Sequence, residues 1–248
     1  MALYVVYRAP LESKARSAIP RRLKELGCQQ LHRAFWKIEE KKMHDVLKVL
    51  ENNQPVVMKR LREIKNPKLA KKKAFSGLGS LVVVTFTLPK GANREKVTNF
   101  LRKAPCIRLR RSVYAFSQKR SFYEKQTSLV DALKFVNFIR DIGGNVKIIS
   151  RVVILNPVAV ERLLDETKDR IETGVFNIVS SCKKLYVEAC RGKDYELIRG
   201  EFSRLKRRYL ILKKVCSVYT VWLKIDFTKI LMRAYHALRK VNTRLEQA

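Results

Sequence analysis

The chain has 248 residues, enough for one large domain or two small ones, and 46% of them are hydrophobic, which excludes disorder throughout. Lysine and arginine total 54 against 22 aspartates and glutamates, so the formal net charge is +32. Such a charge repels itself in a compact chain and predicts a polyanionic partner, with nucleic acid first and an anionic membrane surface a distant second. The alternative is a solvated basic surface without a specific partner.

Cysteine and hydropathy patterns predict a cytoplasmic protein without a metal site or a membrane span. The five cysteines form no C-x-x-C pair and only three histidines accompany them, so no zinc site of known spacing can be drawn. Reduced, mostly buried thiols are expected. The most apolar window, residues 209–232, is interrupted by four lysines and Asp226. Met1 is followed at once by a strand-like run, which predicts no signal peptide.

Residues 1–64 predict a first β-α-β-α-β copy. An apolar run at 3–7 is typical of a buried strand and ends at Pro10. Ser13 can cap the next helix, in which Pro20 predicts a kink or a later start. The remaining elements are a helix at 13–26, a strand at 28–38 that bends in its middle, a helix at 41–50 and a strand at 55–61.

A basic linker at 65–80 joins this copy to a second one at 81–156. The linker contains the triplet Lys71-Lys72-Lys73 followed by Gly77 and Gly79. The elements expected in the second copy are strands at 81–88, 106–118 and 146–155 and helices at 93–103 and 128–142.

The two copies share one register, which indicates an internal duplication. The pairs matched at an offset of 78 residues are Leu3 with Leu81, Val5 with Val83, Cys28 with Cys106, Leu31 with Leu109 and Trp36 with Tyr114. One register kept through a strand, a helix and another strand is not expected by chance. We therefore predict an α+β fold with two tandem β-α-β-α-β copies, which resemble ferredoxin-like half-domains in the strand that ends Arg111-Ser112-Val113-Tyr114.

Residues 157–248 predict a helical C-terminal hairpin or bundle. Pro157 starts a long helix that Gly174 could divide in two. Asp194 caps a second helix to residue 214, and a third covers 227–245. The apolar positions of the second helix are Tyr195, Ile198, Phe202, Leu205, Tyr209 and Leu212. Its opposite side is basic, and long helices of this kind usually pair antiparallel.

Two resemblances follow from these motifs. The duplicated copies resemble the small ferredoxin-like CRISPR-associated adaptor that partners the spacer integrase, through the run Ser112-Val113-Tyr114. Residues 81–227 are similar to the N-terminal region of the chromate-resistance regulator ChrB. The motifs that carry this second resemblance are Leu88-Pro89, Val113-Tyr114, Gly143-Gly144, Asp194-Tyr195 and Asp226-Phe227. It implies a DNA-binding regulator, by analogy alone.

No motif predicts catalysis, so we expect a non-enzyme without a cofactor. The adaptor family carries a metal-binding aspartate at the end of the first strand. The corresponding positions are Tyr7-Arg8 and Thr85-Phe86, where no carboxylate occurs and Arg8 would repel a cation. Phosphate-binding glycine loops are absent from the sequence.

Clusters of basic residues predict contact with a phosphate backbone, on DNA or on RNA. The candidate residues are Arg21, Arg22, Lys24, Arg33, Arg108, Arg110, Arg111, Lys119, Arg120, Arg204, Arg207 and Arg208. Aromatic residues lie among them on the duplicated strand. Trp36, Tyr114 and Phe116 either stack on bases or, the interpretation we favour, pack between two sheets. A parity conflict between Leu109 and Arg111 predicts a bend or bulge in this strand.

A second hypothesis is a protein–protein adaptor whose helical C-terminal region docks an acidic partner. The apolar side of the second C-terminal helix, residues 195–212, distinguishes the two hypotheses. If it packs within its own chain, nucleic-acid binding is favoured, and if it is exposed as a continuous patch, the adaptor is favoured.

Overall fold

The computed structural model describes residues 2–10, 13–63, 78–119, 121, 128–191 and 195–247. The chain forms two compact units. The first consists of Met1–Val97, Cys106–Arg120 and Asp131–Leu164, and the second of Thr98–Pro105, Ser121–Val130 and Asp165–Ala248. The lysine triplet of the linker and the predicted cap Asp194 lie outside the described residues. The predicted domain boundaries stay a prediction.

The described residues form eight strands and seven α-helices, and two of the predicted strands are each divided in two. The strands are β1 (Ala2–Val6), β2 (Gln29–His32), β3 (Phe35–Glu39), β4 (Val56–Arg60), β5 (Leu81–Thr87), β6 (Cys106–Arg110), β7 (Val113–Ser117) and β8 (Asn145–Ile154). The helices are α1 (Ser13–Glu25), α2 (Met43–Leu50), α3 (Arg94–Arg102), α4 (Ala132–Asp141), α5 (Pro157–Cys190), α6 (Tyr195–Leu223) and α7 (Thr228–Glu246).

The strands of the first unit make one sheet. Their order is β2-β3-β1-β4-β8-β5-β7-β6, and every neighbouring pair is antiparallel. Strand β8 joins the two halves, because it pairs with β4 through Val152–Ile154 and with β5 through residues 145–149 and Val152. Between these stretches Arg151 has φ +56°. The predicted α+β class, an antiparallel sheet with long C-terminal helices, is confirmed.

The prediction of one bent strand at 28–38 and another at 106–118 is wrong. Each is two antiparallel strands joined by a two-residue turn, at Arg33-Ala34 and at Arg111-Ser112. The chain can reverse at Ser112 because this residue adopts a left-handed conformation, with φ +64°. Each half therefore runs β-α-β-β-α-β instead of β-α-β-α-β.

The duplication keeps its offset on one strand and changes it on another. Residues 35–39 of β3 and 113–117 of β7 are related by the predicted 78 positions. Trp36 lies opposite Val5, however, while Tyr114 lies opposite Val84 rather than Val83. The equivalent residues of β1 and β5 are therefore one position further apart than the sequence match suggests.

The aromatic residues of the duplicated strands pack beneath helices, so the expectation that they pack between two sheets is wrong. Trp36 is fully buried in a core with Ile19 and Leu23 of α1 and Val46 and Leu50 of α2. In the second half, the ring of Phe135 on α4 lies 5.4 Å from Phe86, 6.2 Å from Tyr114 and 5.7 Å from Phe116, measured between centroids. The physical reason is that both halves belong to one continuous sheet.

The second unit contains helices α6 and α7 and the part of α5 from Asp165 onward. Helix α5 continues through Gly174, whose Cβ position would meet Leu212 of α6 at an ordinary 3.6 Å. Helix α6 extends to Leu223, beyond the predicted end at residue 214. Buried residues of α5, α6 and α7 form one core, which includes Cys182, Phe202 and Leu238. Among the described residues, no helix is long and apolar enough to cross a membrane.

Candidate nucleic-acid interface

The predicted basic residues are distributed over both units. Helix α1 carries the exposed Arg21, Arg22 and Lys24, and Arg21 forms an exposed ion pair with Glu25 at 3.5 Å. Arg33 lies on the β2–β3 turn, Arg108 and Arg110 on β6, Arg111 on the β6–β7 turn and Lys119 after β7. Arg204, Arg207 and Arg208 lie on α6 in the second unit, and Arg120 lies outside the described residues.

Arg110 is the best-defined residue of the first-unit group. Its side chain is half-buried, and its Nη1 donates a hydrogen bond to the carbonyl oxygen of Tyr7 at 2.9 Å. Burial holds the pKa of Arg110 below its usual value, and the charges of Arg8, Arg108 and Arg33 lower that pKa further. An arginine remains charged in spite of such shifts. The four side chains therefore concentrate positive charge at one place.

We name Arg8, Arg33, Arg108 and Arg110 the arginine cluster. It joins the two halves, because Arg8 follows β1 and Arg33 belongs to the first β-hairpin, while the other two lie on β6. Three of the four are predicted from the sequence, and Arg8 is not. Arg8 follows the first strand closely, which is the signal that could have identified it. From the sequence alone it is considered only as a residue that would repel a metal cation.

Contacts around the first β-hairpin hold Arg33 against the second half. Lys147 of β8 donates a hydrogen bond to the carbonyl oxygen of Leu31 at 3.3 Å. Burial lowers the pKa of His32, and the charges of Lys147 and Arg33 lower it further, while a hydrogen bond with the backbone of Phe86 opposes them. The hairpin tip is thus a second place where cations crowd together.

Gln54 fixes Arg8 without neutralising it. The backbone N–H of Arg8 donates to the carbonyl oxygen of Asn53 at 2.7 Å, and the Asn53 side-chain amide donates back to the Arg8 carbonyl oxygen at 2.9 Å. The Arg8 guanidinium donates to Oε1 of Gln54 at 3.4 Å, and Arg162 of α5 donates to the same oxygen at 3.3 Å. An amide oxygen carries no net charge, so Gln54 does not neutralise Arg8.

The arginine cluster has no acidic partner within the described part of the chain. The ion pairs found there, such as Lys59–Glu40 at 2.8 Å and Lys168–Asp165 at 3.0 Å, do not include any of its four members. Tyr7 lies beside the cluster, and its pKa is raised because burial outweighs the lowering effects of the neighbouring Trp36 and of the charges of Arg110 and Arg33. The tyrosine is therefore neutral at physiological pH and leaves the positive charge uncompensated.

Helix α6 carries the other predicted basic residues on its exposed side. Ile198, Phe202, Leu205 and Tyr209 are buried in the helical core, and Leu212 packs against it partly buried. Tyr195 is 40% exposed, but its hydroxyl donates to the carbonyl oxygen of Leu245 on α7 at 2.9 Å. The apolar side of this helix therefore packs within its own chain, which is the outcome that favours nucleic-acid binding over an adaptor.

The aromatic rings near the arginine cluster are mostly buried. Trp36 and Phe116 are fully buried and Tyr7 is nearly so, while Tyr114 is half-buried beside Phe135. Of these rings Tyr114 alone keeps partial exposure, so bases have little ring surface here on which to stack. Among the described residues, no group of three His, Cys, Asp or Glu side chains could hold a metal ion. The prediction of a non-enzyme stays a prediction.

No family model, no curated protein and no solved structure matches the chain.

Proposed function

We propose that the protein is a non-catalytic nucleic-acid-binding protein that contacts the phosphate backbone through the arginine cluster. The observation that carries this proposal is four guanidinium groups, drawn from both halves of the sheet, without a carboxylate partner among the described residues. A guanidinium group presents a planar pair of N–H donors that fits a phosphate. The net charge of +32 attracts a polyanion from a distance.

Binding through this surface is independent of nucleotide sequence. Phosphate contacts fix position and carry no base information, and burial of Trp36, Phe116 and Tyr7 leaves little ring surface for the stacking that single-stranded recognition uses. We therefore expect duplexes to bind at least as tightly as single strands. The packed apolar side of α6 supports this proposal over the adaptor that docks an acidic protein.

We also propose that each half of the sheet is a ferredoxin-like domain. Each half has the order β-α-β-β-α-β, and each places its strands in the order second, third, first, fourth. The resemblance to the CRISPR-associated adaptor and to ChrB remains a proposal based on short motifs. If the ChrB resemblance is right, the nucleic acid is DNA and the protein is a regulator.

The test is binding of the purified protein to labelled duplex DNA, single-stranded DNA and duplex RNA over a series of salt concentrations. If four phosphates are neutralised on duplex DNA, log affinity falls with log salt with a slope of about −3.6 or steeper. Scrambling the sequence of the duplex should leave affinity unchanged. Failure to bind any polymer at low salt would contradict the proposal.

A further inference from the structure

A groove between α5 and α7 in the second unit is lined by cationic side chains. Its volume is about 360 Å³. The lining residues are Tyr186 of α5 and Arg239, Lys240, Thr243, Arg244 and Gln247 at the C-terminal end of α7. Three of them are cations and none is a carboxylate. The groove is therefore a separate concentration of positive charge, in a different unit from the arginine cluster.

The end of a helix does not account for this charge. The C-terminus of a helix carries about half a negative charge, which favours a nearby cation but is far less than three full charges. The nearest acid on the same helix, Glu246, accepts a hydrogen bond from the Asn242 side chain at 2.6 Å and does not line the groove. A net positive charge therefore remains in the groove.

Two of the cationic side chains that line the groove, Arg244 and Lys240, differ in their contacts. The Nε of Arg244 is buried and has no hydrogen-bond partner, although buried polar donors are almost always satisfied. The ammonium group of Lys240 lies 4.8 Å from the centre of the Tyr186 ring, which holds it at the groove. An anion in the groove would relieve repulsion among the cations.

We propose that this groove binds a phosphomonoester. Arginine forks and a lysine ammonium suit the oxygens of a terminal phosphate. The volume reaches the lower end of the range for small-molecule sites, so an organic group attached to the phosphate also fits. The same chemistry has two sources, a free mononucleotide and the 5′-phosphorylated end of a nucleic-acid strand. The site is independent of the arginine cluster.

The test is calorimetric titration of the full chain with adenosine 5′-monophosphate, with adenosine, and with a short oligonucleotide bearing or lacking a 5′-phosphate. We expect the monophosphate to bind and adenosine not to bind. Equal affinity for the monophosphate and the phosphorylated oligonucleotide would identify the free nucleotide as the source. If the phosphorylated strand binds more tightly than both the unphosphorylated strand and the monophosphate, the strand end is the source of the phosphate.

Charge-matched variants locate the site. Lys240→Gln, at an exposed lysine, and Lys240→Gln with Arg244→Gln should each weaken monophosphate binding at least about tenfold. The control, Lys206→Gln with Lys213→Gln on the exposed side of α6, should leave it within about twofold. Equal loss in the control, or binding of adenosine as tight as that of the monophosphate, would overturn the proposal. Duplex binding by the same variants reports separately on the arginine cluster.

Discussion

Single residues determine where positive charge can persist in this protein. Arg110 is half-buried, which disfavours a charge, and yet its side chain is held by a hydrogen bond to the Tyr7 carbonyl oxygen. The three other arginines of the cluster disfavour its charge further. This arrangement costs stability unless an anion is present. A polyanion that neutralises the cluster should therefore stabilise the fold as well as bind to it.

His32 gives the fold a dependence on pH. Its pKa in the folded state lies below the ordinary value of 6.5, so the unfolded chain binds the proton more readily. His32 therefore does not reduce the free energy of unfolding above about pH 6.5. Below that pH the free energy of unfolding decreases as the pH drops toward the folded-state pKa of His32. Between about pH 7.5 and about pH 5, the free energy of unfolding should decrease less in His32→Gln than in the unchanged protein, as measured by urea unfolding at the two pH values.

The matched control for His32 is His44→Gln, at an exposed position of α2. This variant should lose as much stability at low pH as the unchanged protein does. If His32→Gln lost the full amount, the pH dependence would belong to other groups.

The cysteines divide into buried and exposed thiols. All five are free, and Cys190 is the exposed one. Burial raises the pKa of Cys182 to about 11 and that of Cys216 to about 12. At about pH 8 roughly one in a thousand Cys182 thiols, or fewer, is ionised, and the thiolate is the reactive form. Iodoacetamide should modify Cys190 long before it modifies Cys182 or Cys216, and peptide mass spectrometry measures the order of modification. Rapid modification of Cys182 in the folded protein would contradict its burial.

At the scale of elements, close backbone packing connects α4 to the sheet. A Cβ at Gly144 would lie 2.6 Å from Cγ2 of Ile139 and 3.0 Å from the carbonyl oxygen of Thr87. Gly144→Ala should therefore lower the free energy of unfolding by about 1–3 kcal/mol, because backbone atoms must move. Denaturant unfolding measures this change.

Gly200 on α6 provides the contrast, since a Cβ there would meet nothing within 4 Å. Gly200→Ala should be neutral or stabilise the protein by up to about 1 kcal/mol, because alanine is the better helix former. Equal destabilisation by both substitutions would show that the close contacts at Gly144 do not cause the loss of stability.

The elements also show what sequence patterns can predict. Hydrophobic runs predict nearly every strand and helix, since those runs create the buried faces. The parity conflict between Leu109 and Arg111 signals a break in the strand, but the conflict alone does not separate a bulge from a complete reversal. The reversal depends on Ser112 entering the left-handed region, which a serine rarely does.

At the scale of the first unit, long-range pairing could not be predicted from the sequence. One sheet forms because β8 pairs with β5 along one edge and with β4 along the other, and no local pattern announces this double pairing. The arginine cluster depends on it, because Arg8 and Arg33 come from one half and Arg108 and Arg110 from the other. Composition predicts that a basic surface exists, and the fold determines which arginines meet.

The most direct measurement of the central claim is the salt dependence of duplex binding by charge-matched variants. The test variant replaces Arg8, Arg33 and Arg108 with glutamine and keeps Arg110, whose hydrogen bond supports the fold. The control replaces three exposed lysines of the first unit, Lys37, Lys41 and Lys48, with glutamine. Both variants lose the same net charge.

We predict that the slope of log affinity against log salt becomes shallower by about three in the test variant and by less than about one in the control. Circular dichroism should show that both variants remain folded. An equal change of slope in the two variants would mean that the protein binds through diffuse charge, and it would contradict a phosphate site at the arginine cluster.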